Sequence, residues 1–191
     1  MSLEKMGLQH LNKTGAELPP EAIEVALKAV TTYKTALISA ASSARNRAVS
    51  WRSRPFKIGC SVFALNKNLD LSELEMFTGA NYKPSPGEGM EWPERKCSEM
   101  VAIEEALKEG VKFIPAIVTV SSEKNTSERG TEMHDVVHPC KRCRDFFKEL
   151  INKGVVSNNT WLINVRDDCS GVIQIQEERR VGDLFALYKE E

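Results

Sequence analysis

Two short stretches organise the fold predicted for this chain: Lys96-Cys97-Ser98-Glu99-Met100 and, further along, His138-Pro139-Cys140-Lys141-Arg142-Cys143-Arg144. The first supplies one thiol and, two residues later, a carboxylate, while the second supplies two thiols three positions apart. Three sulfur ligands with a carboxylate beside them suit a Zn²⁺ ion whose fourth position is open to water. If Cys140 begins a helix, Cys143 lies on the same face, so both sulfurs can reach one ion. These stretches therefore predict zinc ligands Cys97, Cys140 and Cys143.

The carboxylate of Glu99 has a different predicted role from the three thiols. In such a site it is a poor fourth ligand but a good proton shuttle for water held by the metal. Helix N-termini also favour thiolates, because their unpaired N–H groups and the macrodipole stabilise negative charge. Cys-x-Glu followed by Pro-Cys-x-x-Cys is the signature of zinc deaminases in their three-cysteine form. Glu99 is therefore the predicted catalytic residue.

Three further motifs make the sequence resemble the cytidine deaminase family from about Val30 to Tyr188. Phe56-Lys57-Ile58-Gly59-Cys60-Ser61 is similar to the family's first strand, F-K-V-G-A-A, and Thr78-Gly79-Ala80-Asn81 to the T-G-x-N that ends its second. Val181-Gly182-Asp183-Leu184-Phe185 is similar to its closing V-G-E-L-L. The resemblance implies a cytidine deaminase-like fold, which is a three-layer α/β/α sandwich with a mixed five-stranded sheet.

The resemblance also implies a function and a set of partners. It implies zinc-dependent hydrolysis of cytidine, deoxycytidine or a related aminated nucleoside or base, with release of ammonia. The residues expected to bind the substrate are Phe56, Asn81, Lys83 and Ser98. A homo-oligomer, either a tetramer or a dimer, is expected as well.

Two positions depart from the family's pattern. Lys83 stands where the family has a glutamate that binds the ribose, and an ammonium group cannot accept a hydrogen bond from a sugar hydroxyl. Met100 stands where many three-cysteine members have an arginine that hydrogen-bonds the ligand sulfurs. Arg144, next to the last ligand, matches another family arginine and is predicted to support the sulfurs instead, although Lys141 or Arg142 could fill the same role.

These departures keep other functions open. Lys83 and the long loop after it allow another aminated substrate, such as a nucleoside antibiotic of the blasticidin S kind. Met100 allows a non-catalytic, zinc-stabilised binding protein of the same fold, although Glu99 argues against it. A structural zinc site completed by His138 or His134 is a further alternative. Structural sites are closed and have no use for a carboxylate two residues from a ligand, which favours the catalytic interpretation.

Composition narrows the function classes. The formal net charge is −1, so no overall field attracts nucleic acid or a membrane surface, and a polynucleotide substrate is disfavoured. No apolar run approaches the roughly 20 residues that span a bilayer. Of the five cysteines, three are at metal spacing, so a disulfide framework is disfavoured and a reducing, cytoplasmic compartment is expected.

The order of apolar patterns predicts an N-terminal arm over residues 1–19 and one catalytic domain over 20–191. Within the domain we expect a helix, two strands, a helix, a strand, a helix, two strands and a final helix. The predicted elements are a helix from Pro20, strands at 56–65 and 74–80, a helix from Cys97 to Gly110, a strand at 115–120, a helix from Pro139 to Gly154, strands at 161–165 and 172–175, and a helix at 181–188. Four arginines between Ser42 and Pro55 favour a solvated helix end over an anion site.

Overall fold

The structure is a computed structural model that describes residues 20–48, 57–65, 75–81, 96–122, 125–126, 133–134, 136–167 and 172–188. The elements in chain order are α1 (Pro20–Arg45), β1 (Ile58–Leu65), β2 (Glu75–Ala80), α2 (Ser98–Lys108), β3 (Phe113–Ser121), β4 (Asn125–Thr126), β5 (Met133–His134), α3 (Lys141–Asn152), β6 (Trp161–Asp167), β7 (Ile173–Arg180) and α4 (Val181–Leu187). The predicted order of helices and long strands is confirmed. The short β4–β5 pair lies between the strand predicted at 115–120 and the helix predicted from Pro139, where the sequence predicts no regular element.

The five long strands form one sheet in the order β2-β1-β3-β6-β7. Neighbouring strands are antiparallel except β3 and β6, which are parallel. The parallel pair follows from the crossover through α3, whereas β1 and β2 are joined directly and pair as a hairpin. The prediction of a mixed five-stranded sheet is therefore confirmed.

One face of the sheet is covered by α1. The helix approaches the sheet closely at Gly59, where an added Cβ would lie 2.0 Å from the carbonyl oxygen of Ala41. At the end of α1, Arg45 is only 3% exposed and forms an ion pair with Asp167 of β6, and Ser42 Oγ donates to the same carboxylate at 3.3 Å. The expectation of a solvated helix end is thus wrong for Arg45, because this guanidinium neutralises a buried carboxylate.

The opposite face is covered by α2, α3 and α4, which completes the predicted three layers. The helices α2 and α3 each end two residues before a predicted terminating glycine, Gly110 and Gly154, whose φ angles are +79° and +71°. At Gly79 of β2 the first turn of α2 lies almost on the strand, since an added Cβ would be 2.2 Å from the carbonyl oxygen of Ser98. The N-terminus of α2 is thereby fixed against the edge of the sheet.

A row of residues in register crosses the sheet beneath these helices. Each member pairs with the next one across the sheet, and from β2 to β7 they are Gly79, Cys60, Thr119, Asn164 and Glu177. Thr119 Oγ1 and Asn164 Oδ1 are 2.7 Å apart. Because side chains of strand neighbours in register lie on the same face, this row lies on the face that the first turn of α2 covers at Gly79. The row therefore lies on the same side of the sheet as Cys97 and Cys143 of the predicted metal site.

The two C-terminal strands are longer than predicted, with β6 ending at Asp167 and β7 at Arg180. The apolar pattern of β7 stops at Ile175, but this strand lies at the sheet edge and is mostly half-exposed, so it accommodates charged residues. No helix in the described ranges is long and apolar enough to cross a membrane.

Candidate metal centre and active site

Two helices begin at cysteines of the predicted metal site. Cys97 is the N-cap of α2 and Cys140 is the N-cap of α3, both with extended backbone angles. Neither side chain makes a capping hydrogen bond. A thiolate at such a position meets the unpaired N–H groups and the positive end of the helix dipole. The start of each helix therefore favours a negatively charged sulfur.

The structure brings the three cysteine sulfurs together. The Sγ atoms of Cys97 and Cys140 are 3.5 Å apart, those of Cys140 and Cys143 are 3.7 Å apart, and all three lie within 4.8 Å of one another. With Zn–S bonds of about 2.3 Å at tetrahedral angles, two ligand sulfurs lie about 3.8 Å apart. The donor set and its spacing thus fit a tetrahedral ion with one further position to fill.

Electrostatics within the cluster also favours a cation. Hydrogen bonds from Cys143 and Cys97 lower the pKa of Cys140, whereas the hydrogen bond to Cys140 raises the pKa of Cys97 and of Cys143. One negative charge is therefore held mainly on Cys140, and further thiolates would repel it. Because a divalent cation compensates this repulsion, it would allow all three sulfurs to ionise.

Glu99 lies in the first turn of α2, beside the sulfurs. Its side chain is buried, with 5% of the residue exposed, and Ser98 Oγ donates a 2.8 Å hydrogen bond to Oε2. Burial raises the pKa of Glu99, and the charge near Cys140 raises it further, although the bond from Ser98 opposes this. A carboxyl group whose pKa is raised is suited to taking up and giving back a proton.

The structure describes two of the four residues predicted to bind substrate, Asn81 and Ser98. Asn81 follows β2 and closes its pairing with β1, because its Oδ1 accepts from the Ile58 N–H at 2.6 Å and its own N–H donates to the Ile58 carbonyl at 3.1 Å. Ser98 is fully buried, with its hydroxyl directed at Glu99. Phe56 and Lys83 lie outside the described residues. Substrate binding by these four residues stays a prediction.

His138, considered above as a closing ligand, is engaged elsewhere. Its Nδ1 lies 2.9 Å from the hydroxyl of Tyr188, and its Nε2 is hydrogen-bonded to the carboxylate of Glu177. Within the ranges where side chains are described, the metal-binding group consists of the three cysteines alone. The side chain of His134 is outside those ranges. A closed site completed by His138 is therefore disfavoured.

Arg144 supports the turn that carries the second and third cysteines. Its Nη1 donates to the Pro139 carbonyl at 2.9 Å, and its guanidinium lies 4.1 Å from the centre of the Tyr188 ring. That Arg144 supports the sulfurs themselves stays a prediction.

Sequence reasoning missed two residues near this turn, Tyr188 and Glu177. The one available signal was that Glu177 and Arg179, charged residues two apart, share a strand face with apolar neighbours.

Solved structures of cytidine deaminases are among those similar to this chain. A point mutant of the enzyme from Mycobacterium tuberculosis is 20% identical, with a TM-score of 0.47 over 80% of this chain and 90% of the other. The enzyme from Mycobacterium leprae is 16% identical, with a TM-score of 0.47 over 79% and 95%. No protein-family model and no curated protein matches the sequence. Likeness at this level carries no information about substrate or activity.

Proposed function

We propose that the chain is a zinc-dependent hydrolase that removes the amino group from a small aminated nucleoside or nitrogen heterocycle. The overall reaction replaces the ring C–NH₂ with C=O, consumes one water and releases ammonia. The observation that carries the proposal is the position of Glu99, a buried carboxyl group in the first turn of α2, two residues after Cys97 and beside the cluster of three sulfurs. A structural metal site has no use for such a group.

Cys97, Cys140 and Cys143 are the residues that would hold the ion, and sulfur ligands at tetrahedral spacing favour Zn²⁺ over harder cations. When bound, Zn²⁺ supplies a Lewis acid that makes a water molecule more acidic. Because Cys140 is exposed, we propose that substrate reaches the ion from the side of this cysteine.

Glu99 would carry the protons of the reaction. Its carboxylate takes a proton from the attacking water, gives it to the ring nitrogen, and then helps to protonate the departing amine. The bond from Ser98 Oγ to Oε2 holds the carboxyl group in one orientation. Because the group is shielded from solvent, the proton stays between Glu99 and the substrate.

Lys83 bears on the choice of substrate. An ammonium group at this position donates hydrogen bonds and favours an anionic group on the substrate. We therefore propose that plain cytidine is a secondary substrate, and that an aminated heterocycle with a carboxylate or phosphate is preferred, including antibiotics of the blasticidin S kind. We also propose a homo-oligomer, which light scattering would test.

The proposal is tested by measuring ammonia release across nucleosides, nucleotides, free bases and aminated antibiotics, first for the wild type and then for Glu99→Gln. We expect Glu99→Gln to keep its zinc and fold but to lose at least about a hundredfold in turnover, because a general acid–base group is lost. Glu104→Gln is the matched control, since Glu104 is also buried on α2 but pairs with Lys96.

Two outcomes would contradict the proposal. If Glu99→Gln releases ammonia as fast as the wild type, Glu99 is not the proton carrier. If the zinc-loaded wild type releases ammonia from no substrate in the screen, the non-catalytic binding protein becomes the better description.

A further inference from the structure

The ring of His138 is held from both sides. Glu177, as an ionised carboxylate, can only accept a hydrogen bond, so Nε2 of His138 carries the hydrogen. In the neutral ring Nδ1 is then an acceptor, and the Tyr188 hydroxyl donates to it at 2.9 Å. His138, which directly precedes Pro139 and Cys140, is thereby connected to β7 through Glu177 and to the end of α4 through Tyr188.

Glu177, the partner of His138 on β7, is held in place by its own contacts. Glu177 stands in register with Asn164 at the end of the row across the sheet. Burial raises the pKa of Glu177, but hydrogen bonds from Arg179 and His138 outweigh that effect and lower it. The carboxylate thus stays charged and able to accept from His138.

Tyr188, the partner of His138 at the end of α4, also holds the turn that contains Pro139 and Cys140 at a second point, through Arg144. The ring of Tyr188 lies under the guanidinium of Arg144, and Arg144 donates to the Pro139 carbonyl. His138 and Arg144 stand on either side of the cysteine pair in the sequence. Both therefore tie this turn to the C-terminal part of the chain.

Cys140 needs such an anchor more than Cys143 does. Cys143 is fully buried in the core on the inner face of α3, so packing holds its sulfur. Cys140 is exposed, precedes the helix and makes no capping hydrogen bond. Its distance from Cys97, which belongs to another helix, therefore depends on the turn that begins at His138.

We propose that His138 is a positioning residue of the metal centre, held by Glu177 and Tyr188 so that Cys140 keeps the spacing from Cys97 that one ion requires. The inference rests on the proposed metal site but not on the proposed reaction. It also explains why His138, although close in sequence to the ligands, does not fill the fourth position.

The test compares Tyr188→Phe and Glu177→Gln in the full-length chain. Tyr188→Phe removes only the hydroxyl and keeps the ring under Arg144, and Tyr33→Phe on α1 is the matched control. Zinc affinity is measured by competition with a chelator, cobalt-substituted protein is examined by absorption spectroscopy, and thermal unfolding of the metal-free protein is recorded. We expect about a 10- to 100-fold loss of zinc affinity and altered sulfur-to-cobalt bands in both test variants, as for other partners of ligand-bearing groups.

Tyr33→Phe should bind zinc and cobalt as the wild type does. The inference is overturned if both test variants keep wild-type affinity and cobalt spectra, or if their cobalt spectra are unchanged and all loss of affinity is matched by lower stability of the metal-free protein. Ammonia release is not used, so a chain that binds zinc through this arrangement but deaminates nothing would contradict only the proposed function.

Discussion

At the scale of single residues, burial distinguishes the three cysteines of the cluster. Cys143 is fully buried and Cys140 is exposed, although their sulfurs are only 3.7 Å apart. Replacing either one removes a ligand, but only at Cys143 does the new side chain enter the core. The two positions should therefore respond alike in metal content and differently in stability.

We expect Cys140→Ser and Cys143→Ser to fall from about one zinc per chain to well below one, because three protein ligands are the minimum for such a site. In the metal-free form Cys143→Ser should be less stable than Cys140→Ser by about 1–3 kcal/mol, the cost of burying a hydroxyl without a partner. Elemental analysis and denaturant unfolding measure the two effects.

The control for this pair is Cys60→Ala, which removes a buried sulfur outside the cluster. It should keep its zinc. Loss of zinc from Cys60→Ala, or full zinc in Cys140→Ser, would contradict the ligand assignment.

Single residues also show where sequence reasoning stops. The three cysteines and Glu99 could be chosen from spacing alone, since ligand and acid–base chemistry restrict which residue types work. The contacts of His138 could not be predicted from spacing, because its partners Glu177 and Tyr188 lie 39 and 50 positions away in the sequence. Such pairs depend on how β7 and α4 pack, which no local pattern encodes.

At the scale of elements, the position of α2 depends on the glycine beneath it. The first turn of α2, which carries Glu99, lies on the backbone of β2 at Gly79. On the other face α1 lies equally close to β1 at Gly59. The two contacts are similar in geometry, but only the one at Gly79 supports the site.

We expect Gly79→Ala and Gly59→Ala to destabilise the fold by similar amounts, about 1–3 kcal/mol, because each forces a helix away from a strand. The added Cβ would stand 2.5 Å from the Ala102 nitrogen in the first variant and 2.3 Å from the Arg45 nitrogen in the second. Only Gly79→Ala should also lose zinc affinity and ammonia release, since it moves Cys97 and Glu99. Equal losses of zinc in both variants would show that α2 is not positioned in this way.

The elements themselves were largely predictable, and the exceptions have a physical cause. Hydrophobic periodicity marks the buried strands β1 and β3 and the helices α1 and α2, whose inner faces need apolar side chains. The end of β7 was missed, because an edge strand tolerates charged residues and loses the alternating pattern. The two-residue strands β4 and β5 are too short to produce a pattern.

At the scale of the whole molecule, the proposed ion would join two helices that begin at different points of one sheet face. Removing it should destabilise the fold, because metal binding favours the folded chain by mass action. Zinc present at about a thousand times its dissociation constant contributes about 4 kcal/mol. For a chain of this size, chelation should therefore lower the melting temperature by about 10 °C.

Calorimetry with and without a strong chelator measures this shift. Cys140→Ser, which lacks a ligand, should melt at the same temperature in both conditions. A wild-type melting temperature that does not respond to the chelator, in protein shown to have lost its metal, would contradict a link between the ion and the fold.

The separation of Cys97 and Cys140 along the chain has one more consequence. These residues stand 43 positions apart, so an ion that binds both closes a loop containing α2 and β3. Closing a loop of this kind restricts the unfolded chain much as a disulfide does. The proposed zinc would thus be a reversible cross-link, made and removed by metal supply rather than by oxidation.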